Sequence, residues 1–257
     1  MKKISKIFIV LSLVILALAH TDAAYSSDFF KFFRKQTIVP SGMDTTVVYS
    51  DVRTNYSEIN VSGAFYVHYS ASVKEVTVIA DVNLIPYLKV RNSDNELEIG
   101  LSGISFNEIK RAEVCVPVSS RNLTAVDLSG ACSFSSDITV SGKDLSLDLS
   151  GASKAELDVD VKNLEIDLSG ASAACISGNA RNAELDSSGA SKIKGYRGNC
   201  LTVDKAHIDV SGAGSIRGLQ GGRISGSLSG ASKLTALRGS DVSAIRCSGA
   251  SKINVIE

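Results

Sequence analysis

Apolar and polar residues alternate along this chain in short runs, and the runs return at a nearly constant interval. Three of them show the grammar: Leu145-Ser-Leu-Asp-Leu-Ser-Gly-Ala-Ser-Lys154, Leu164-Glu-Ile-Asp-Leu-Ser-Gly-Ala-Ser-Ala173 and Ala206-His-Ile-Asp-Val-Ser-Gly-Ala-Gly-Ser215. Strict alternation predicts strands with one buried and one wet face. The runs end on Ser-Gly-Ala centred on Gly130, Gly151, Gly170, Gly189, Gly212, Gly230 and Gly249, spaced 21, 19, 19, 23, 18 and 19 residues apart. Aligned on the glycine, two columns are mostly aliphatic. Leu128, Leu149, Leu168, Ser187, Val210, Leu228 and Cys247 stand two before it, and Val126, Leu147, Ile166, Leu185, Ile208, Gly226 and Ile245 stand four before it. Four after it, Phe134, Ala155, Ala174, Ile193, Ile216, Leu234 and Ile253 form a third. These are the expected inward ladders.

A period near 20 residues with strand patterning is the mark of a solenoid whose units stack on their neighbours. The expected fold is all-β: a single-stranded right-handed parallel β-helix, a β-solenoid with coils of 18–23 residues, each holding three short strands and three corners. Glycine at the repeated corner supplies backbone angles that a Cβ would penalise, and the alanine that always follows it lets coils sit about 4.8 Å apart. Seven such coils give a prism roughly 30 Å long from Thr124 onward.

Between Asp51 and Pro117 the repeat is degenerate but strand patterning continues. Here stand Ile59-Asn-Val-Ser-Gly-Ala-Phe-Tyr-Val67, with an early Ser-Gly-Ala at Gly63, then Ala80-Asp-Val-Asn-Leu-Ile-Pro-Tyr-Leu-Lys-Val90 and the hairpin-like stretch ending in Asn95-Glu-Leu-Glu-Ile-Gly100. These phrases, in this order and followed by the Leu-Ser-Gly-Ala-Ser series, resemble the family called "putative auto-transporter adhesin, head GIN domain", over roughly residues 50 to 257. The resemblance implies a secreted or lipid-anchored protein of the kind frequent in Bacteroidetes, with a fold similar to right-handed β-helices. It brings no catalytic residues with it. No translocator barrel is expected among these residues.

The N-terminus predicts export. Met1-Lys-Lys-Ile-Ser-Lys6 is a basic start, Ile7 to Leu18 is an apolar run of about a dozen residues, and small-residue sites follow at Ala17-Leu-Ala19 and Thr21-Asp-Ala23. We therefore assign 1–23 as a signal peptide, 24–49 as a linker or cap segment, and 50–257 as the β-helix. The apolar run is shorter than a bilayer span, so no stable membrane anchor is expected after cleavage. The first cysteine is Cys115, so no lipid-anchoring cysteine lies near the cleavage region. Asp28-Phe-Phe-Lys-Phe-Phe-Arg-Lys35 interleaves four phenylalanines with cations. It is read as a covering for the first coil, with a membrane-surface or partner-binding stretch as the alternative.

Charge and composition narrow the chemistry. There are 27 basic and 27 acidic residues, no tryptophan and 21 glycines. This suits a narrow aliphatic core and gives no basis for nucleic-acid binding. Three before each glycine runs an outward column, Asp127, Asp148, Asp167, Asp186 and Asp209, then Ser227 and Arg246. Stacked carboxylates can raise one another's pKa or hold a cation, but one aspartate per coil is too sparse for a calcium β-roll. Ser133, Lys154, Ala173, Lys192, Ser215, Lys233 and Lys252, three after the glycine, form a column expected to offset the acidic one. His68 and His207 fall at outward positions without a cysteine or carboxylate at ligand spacing, and His20 sits at the signal boundary. Cys115, Cys132, Cys175, Cys200 and Cys247 are odd in number and lack Cys-x-x-Cys spacing, which argues against a disulfide framework. Ser-Gly-Ala-Ser is not a nucleophile elbow.

No catalytic, cofactor-binding or metal-ligating residue is assigned. Two functional classes remain. One is a non-catalytic module at the cell envelope, periplasmic, surface-exposed or extracellular, that contacts glycan, a surface protein or another copy of itself. The other is a carbohydrate-active lyase or hydrolase on a β-helix. Coils that vary only between 18 and 23 residues lack the long insertions from which such enzymes build clefts, which favours the first.

Overall fold

The computed structural model describes residues 36–106 and 112–257, and the chain divides into two compact units. Of the smaller, the described residues are Gln36, Thr37 and Gly103–Ser105. Strands Gln36–Ile38 and Ile104–Phe106 pair as a two-stranded sheet. The signal segment and the phenylalanine-rich stretch Asp28 to Lys35 lie outside the described residues. The larger unit, Ile38–Ser102 with Phe106–Glu257, is a β-solenoid of about seven turns.

Its coils stack in parallel register with the columns aligned as the period predicts. Leu128 faces Leu149, then Leu168, Ser187, Val210, Leu228 and Cys247 in turn. The ladder from Phe134 through Ala155, Ala174, Ile193, Ile216 and Leu234 to Ile253 aligns likewise. From Leu128 to Leu228 and from Phe134 to Leu234 every member is buried. Full burial of an aliphatic side chain contributes about 1.5–3 kcal/mol, so the ladders dominate stability. Where three short strands per coil were expected, the chain runs between glycine corners as long strands such as Ser133–Leu149, Lys154–Leu168 and Ala173–Ser187. These turn without leaving the sheet, with a register shift between Ser135 and Thr139 absorbing one bend.

The glycine corners form one continuous stack. Each carbonyl accepts from the alanine N–H one coil on: Ala152 N donates to Gly130 O at 2.7 Å, Ala171 to Gly151 at 2.7 Å and Ala190 to Gly170 at 2.8 Å. At Gly170, φ is +73°, and a Cβ would stand 2.7 Å from Gly151 O. Steric exclusion by the coil below therefore adds to the φ requirement. The alanines themselves are exposed. The buried corner residue is the serine that follows: Ser153, Ser172, Ser191 and Ser232 are all within 1% of full burial. Ser172 Oγ donates to Ser169 O at 2.8 Å and Leu149 O at 3.0 Å. A hydroxyl bonded to carbonyls within its own turn and the turn below can be buried without penalty. Cys132 takes the same place, with Sγ 3.3 Å from Ser129 O. Ser187, the odd polar member of the leucine ladder, is paired with Ser191 at 3.0 Å, and its hydroxyl fills the space beside Gly214, where the corner has glycine in place of the serine.

Upstream of the regular coils, spatial order departs from chain order. Strand Glu58–Gly63 pairs in parallel with Ala125–Gly130, so Gly63 is the first member of the corner stack. The intervening chain lies on the other side of that coil. Glu96–Leu101 pairs with Glu58–Gly63, and Ala112–Pro117 with Phe65–Ser70, both in parallel. Their outer edges are then closed by antiparallel strands. Leu88–Ser93 covers the first through a hairpin with positive φ at Asp94 and Asn95, and Val76–Asp81 covers the second and is itself paired with Asp44–Tyr49. Tyr56 and Tyr69 are buried here; Tyr56 Oη donates to Pro117 O, and Tyr69 stacks on Phe134 with centroids 6.1 Å apart. Asp81 is buried too. Burial pushes its carboxyl up, but hydrogen bonds from Ser41, Asn83 and Gly42 outweigh this and leave it below the usual carboxylate range.

Candidate functional site

The outward residues ahead of each corner form three aligned columns. Nearest the corner is Asp127, Asp148, Asp167, Asp186, Asp209, Ser227 and Arg246; next is Ser146, Glu165, Glu184, His207 and Ser225; then Asp144, Asn163, Asn182, Lys205 and Arg223. Between the last two columns runs a groove of about 550 Å³. Asp144, Asn163, Asn182 and Lys205 form one wall, and Ser146, Glu165, Glu184, His207 and Ser225 the other. Leu145, Leu164, Ala183 and Ala206, themselves in register, line it between the walls. The period builds this feature without any insertion, because each coil adds one polar pair and one aliphatic contact.

The amide wall is hydrogen-bonded along its length. Asn163 Nδ2 donates to Asp144 Oδ1 at 2.6 Å, and Asn182 Nδ2 to Asn163 Oδ1 at 2.8 Å. The Asn163 bond, with Lys143 at 3.3 Å, holds the Asp144 carboxyl below its ordinary value. Directional pairing fixes the amide planes at coil spacing, so the donors and acceptors that remain form a rigid row.

The aspartate column behaves differently. Burial, and after it the charge of a neighbouring aspartate, raises Asp127, Asp148 and Asp186. Asp186 Oδ1 is the single buried side-chain oxygen among the described residues that lacks a hydrogen-bond partner. The column is relieved at its far end, where Ser227 Oγ donates to Asp209 Oδ1 at 2.6 Å. The basic column expected to neutralise it lies on the strand after the corner, and no ion pair joins the two columns among the described residues; Lys154 instead pairs with Glu156 on its own strand at 2.7 Å. No cluster of three or more histidine, cysteine or carboxylate groups among the described residues is placed to hold a metal ion.

His207 stands at an outward position with local polar partners. Asp209, two residues on and on the same face, approaches its Nε2 at 3.4 Å, while Ser225 Oγ from the next coil lies 3.5 Å from Nδ1. His68 meets Ser135 the same way, at 2.8 Å. A strand period of two puts residues i and i+2 side by side, and that signal was available in the sequence. Asp209, His207 and Ser225 are the residue types of a nucleophilic triad, but the Ser225 hydroxyl is also bonded to Ala206 O at 3.3 Å, and His207 and Asp209 are about half exposed. His207 and Ser225 face each other in the paired ladder and line the open groove described above.

The five cysteines are all free. Burial pushes the thiols of Cys115, Cys132 and Cys175 up, away from reactivity. Cys247 is in register with buried Leu228 but exposed, because no further coil among the described residues covers it. No helix among the described residues is long and apolar enough to cross a membrane.

Solved structures share this architecture. A putative adhesin from Parabacteroides distasonis aligns over 86% of this chain and 100% of its own, with 21% identity and a TM-score of 0.70. A putative adhesin from Parabacteroides merdae aligns over 86% and 99%, with 16% identity and a TM-score of 0.71. A putative lipid binding protein from P. distasonis aligns over 86% and 100%, with 22% identity and a TM-score of 0.63. No curated protein matches the chain. The family model described as "Putative auto-transporter adhesin, head GIN domain" matches residues 55–239, which span the closing strands and most of the corner stack, and the chain belongs to that family.

Proposed function

We propose that this protein is an exported, non-catalytic, adhesin-like binding module of the cell envelope, and that it takes a glycan chain along the amide and carboxylate groove. The observation that carries the reading is the groove itself: a row of oriented amides from Asn163 and Asn182 faces Glu165 and Glu184 across an aliphatic strip. Sugar hydroxyls need paired donors and acceptors, and the groove sets the Asn163 and Asn182 amides against the Glu165 and Glu184 carboxylates in two successive coils. Many equivalent contacts along a rigid row give avidity without a deep pocket. Family membership and the adhesin descriptions of similar folds support the binding class. The lipid-binding description of one similar structure supports a neighbouring alternative, an acyl or headgroup ligand on the same row.

A glycan array probed with the chain lacking residues 1–23 tests this. Binding that falls about tenfold or more in the Asn163→Ala, Asn182→Ala double variant, with an unchanged thermal midpoint, is the expected result. Equal binding by wild type and variant removes the groove from the account. Release of reducing or unsaturated sugars from a polysaccharide panel would replace the binding reading with the enzyme one.

A further inference from the structure

A net charge of zero conceals a segregation of charge between faces. On the strand after the corner, Lys192, Ser215, Lys233 and Lys252 align in one column, and Lys194, Arg217, Thr235 and Asn254 in the column two residues on. The five cations are exposed, and none forms an ion pair among the described residues. Earlier coils of the same columns are balanced or neutral: Ser133 and Ser135, then Lys154 bonded to Glu156, then Ala173 and Cys175. The excess positive charge is therefore confined to the last four coils, over a length of about 15 Å.

Like charges in directly neighbouring register destabilise a sheet, so this arrangement contributes nothing to folding. It also encloses a shape. Between the two cationic columns lies a shallow groove of about 260 Å³ lined by Lys192, Lys194, Arg217 and Lys233 with Ile193 and Ile216. A groove of that size has room for one narrow chain along its length. No aromatic ring lines it, and stacking is what single-stranded nucleic acid needs.

We propose that this face binds a linear anionic polysaccharide, one carrying carboxylate or sulfate on successive sugars, laid along the solenoid axis. Cations on both sides of the groove, at coil spacing between Lys194 and Arg217 and between Lys233 and Lys252, meet acidic groups on alternate sides of such a chain. This site uses other residues on another face than the amide groove and does not rest on that reading.

The test uses heparin as a sulfated probe and polygalacturonate as a carboxylated one, titrated into the chain lacking residues 1–23 at low and at raised ionic strength. Binding to at least one is expected, with an affinity that falls steeply with salt as counterions are released. The Lys192→Glu, Lys233→Glu double variant should lose about tenfold or more, each single Lys→Ala about two- to fourfold, and Lys74→Glu, remote in sequence and exposed, nothing. Unchanged thermal midpoints separate these losses from misfolding. Three results would overturn the proposal: equal loss in Lys74→Glu and the double variant; binding to vesicles of anionic lipid but to neither polysaccharide; or no polysaccharide binding together with salt-sensitive self-association that disappears in Asp148→Asn, Asp167→Asn, which would assign the cationic face to the acidic column of a second copy.

Discussion

Among the described residues, the two ends of the solenoid differ in how their strand edges and ladders are covered. At the upstream end the coil containing Glu58–Gly63 and Phe65–Ser70 is followed outward by Glu96–Leu101 and Ala112–Pro117, and then by antiparallel strands that occupy the remaining edges. Its core uses large groups, Tyr56, Phe65 and Tyr69, and ties hydroxyls to backbone carbonyls and amides. At the downstream end the ladder members Cys247 and Ile253 are in register with buried Leu228 and Leu234 yet are themselves exposed and partly exposed, and Val255 and Ile256 are 49% and 45% exposed. A residue in a solenoid is thus buried by its neighbours along the axis as much as by its own coil, and an identical position is worth different amounts at different heights.

Substituting the same column at two heights gives the largest effect. Leu168→Asp buries an unpaired carboxylate between Leu149 and Ser187 and should cost about 4 kcal/mol or more, whereas Cys247→Asp should cost under about 1 kcal/mol. Equal shifts in denaturant midpoint would show that the last coil is covered in solution. Next comes the corner. Gly170→Ala forces a Cβ to within 2.7 Å of Gly151 O at φ +73°, and a loss of about 2–4 kcal/mol is expected in chemical denaturation. In the closing region, Tyr56→Phe leaves the buried Pro117 carbonyl without its donor and should cost about 1–2 kcal/mol. Ser172→Ala, by comparison, leaves Leu149 O still bonded to Ser169 N and takes one donor from Ser169 O, and should cost about 1 kcal/mol.

The smallest effect depends on pH. Asp148 is raised by burial and then by Asp167, so its protonated form is favoured in the folded state. The associated stability is present below the unfolded carboxyl value near about 3.9 and is lost as pH rises through the folded value. Asp148→Asn removes that loss. The variant should therefore gain on the wild type between about pH 4 and pH 7, by a few tenths of a kcal/mol after solvent screening. A variant that lost ground over that interval would mean that Asp148 holds a cation in solution.

Much of this was legible in the residues because a fixed period and strict alternation leave only one way to stack the coils. A slip by one residue would turn Leu147, Leu149, Ile166 and Leu168 outward together. Gly63 as the start of the corner stack was visible only as a motif. Its neighbour in space, Gly130, lies 67 residues away, and no period spans the intervening closing strands. The amide groove was missed although Asn163 and Asn182 are 19 residues apart, the coil length itself; the signal was a polar column seven before the glycine. The expected mutual cancellation of acidic and basic columns failed because three residues before and three after a sharp corner point from different strands.

Local periodicity, the need to bury every second side chain and the steric demand for glycine at the corner are short-range constraints, and they set the parallel coils, the inward ladders and the corner stack. Which edges are closed, which cations remain without a carboxylate, and where a row of amides faces a row of acids depend on residues many coils or many tens of positions apart. Those were decided only when the chain folded back on itself, since side-chain electrostatics and edge pairing act through space and leave no period in the sequence.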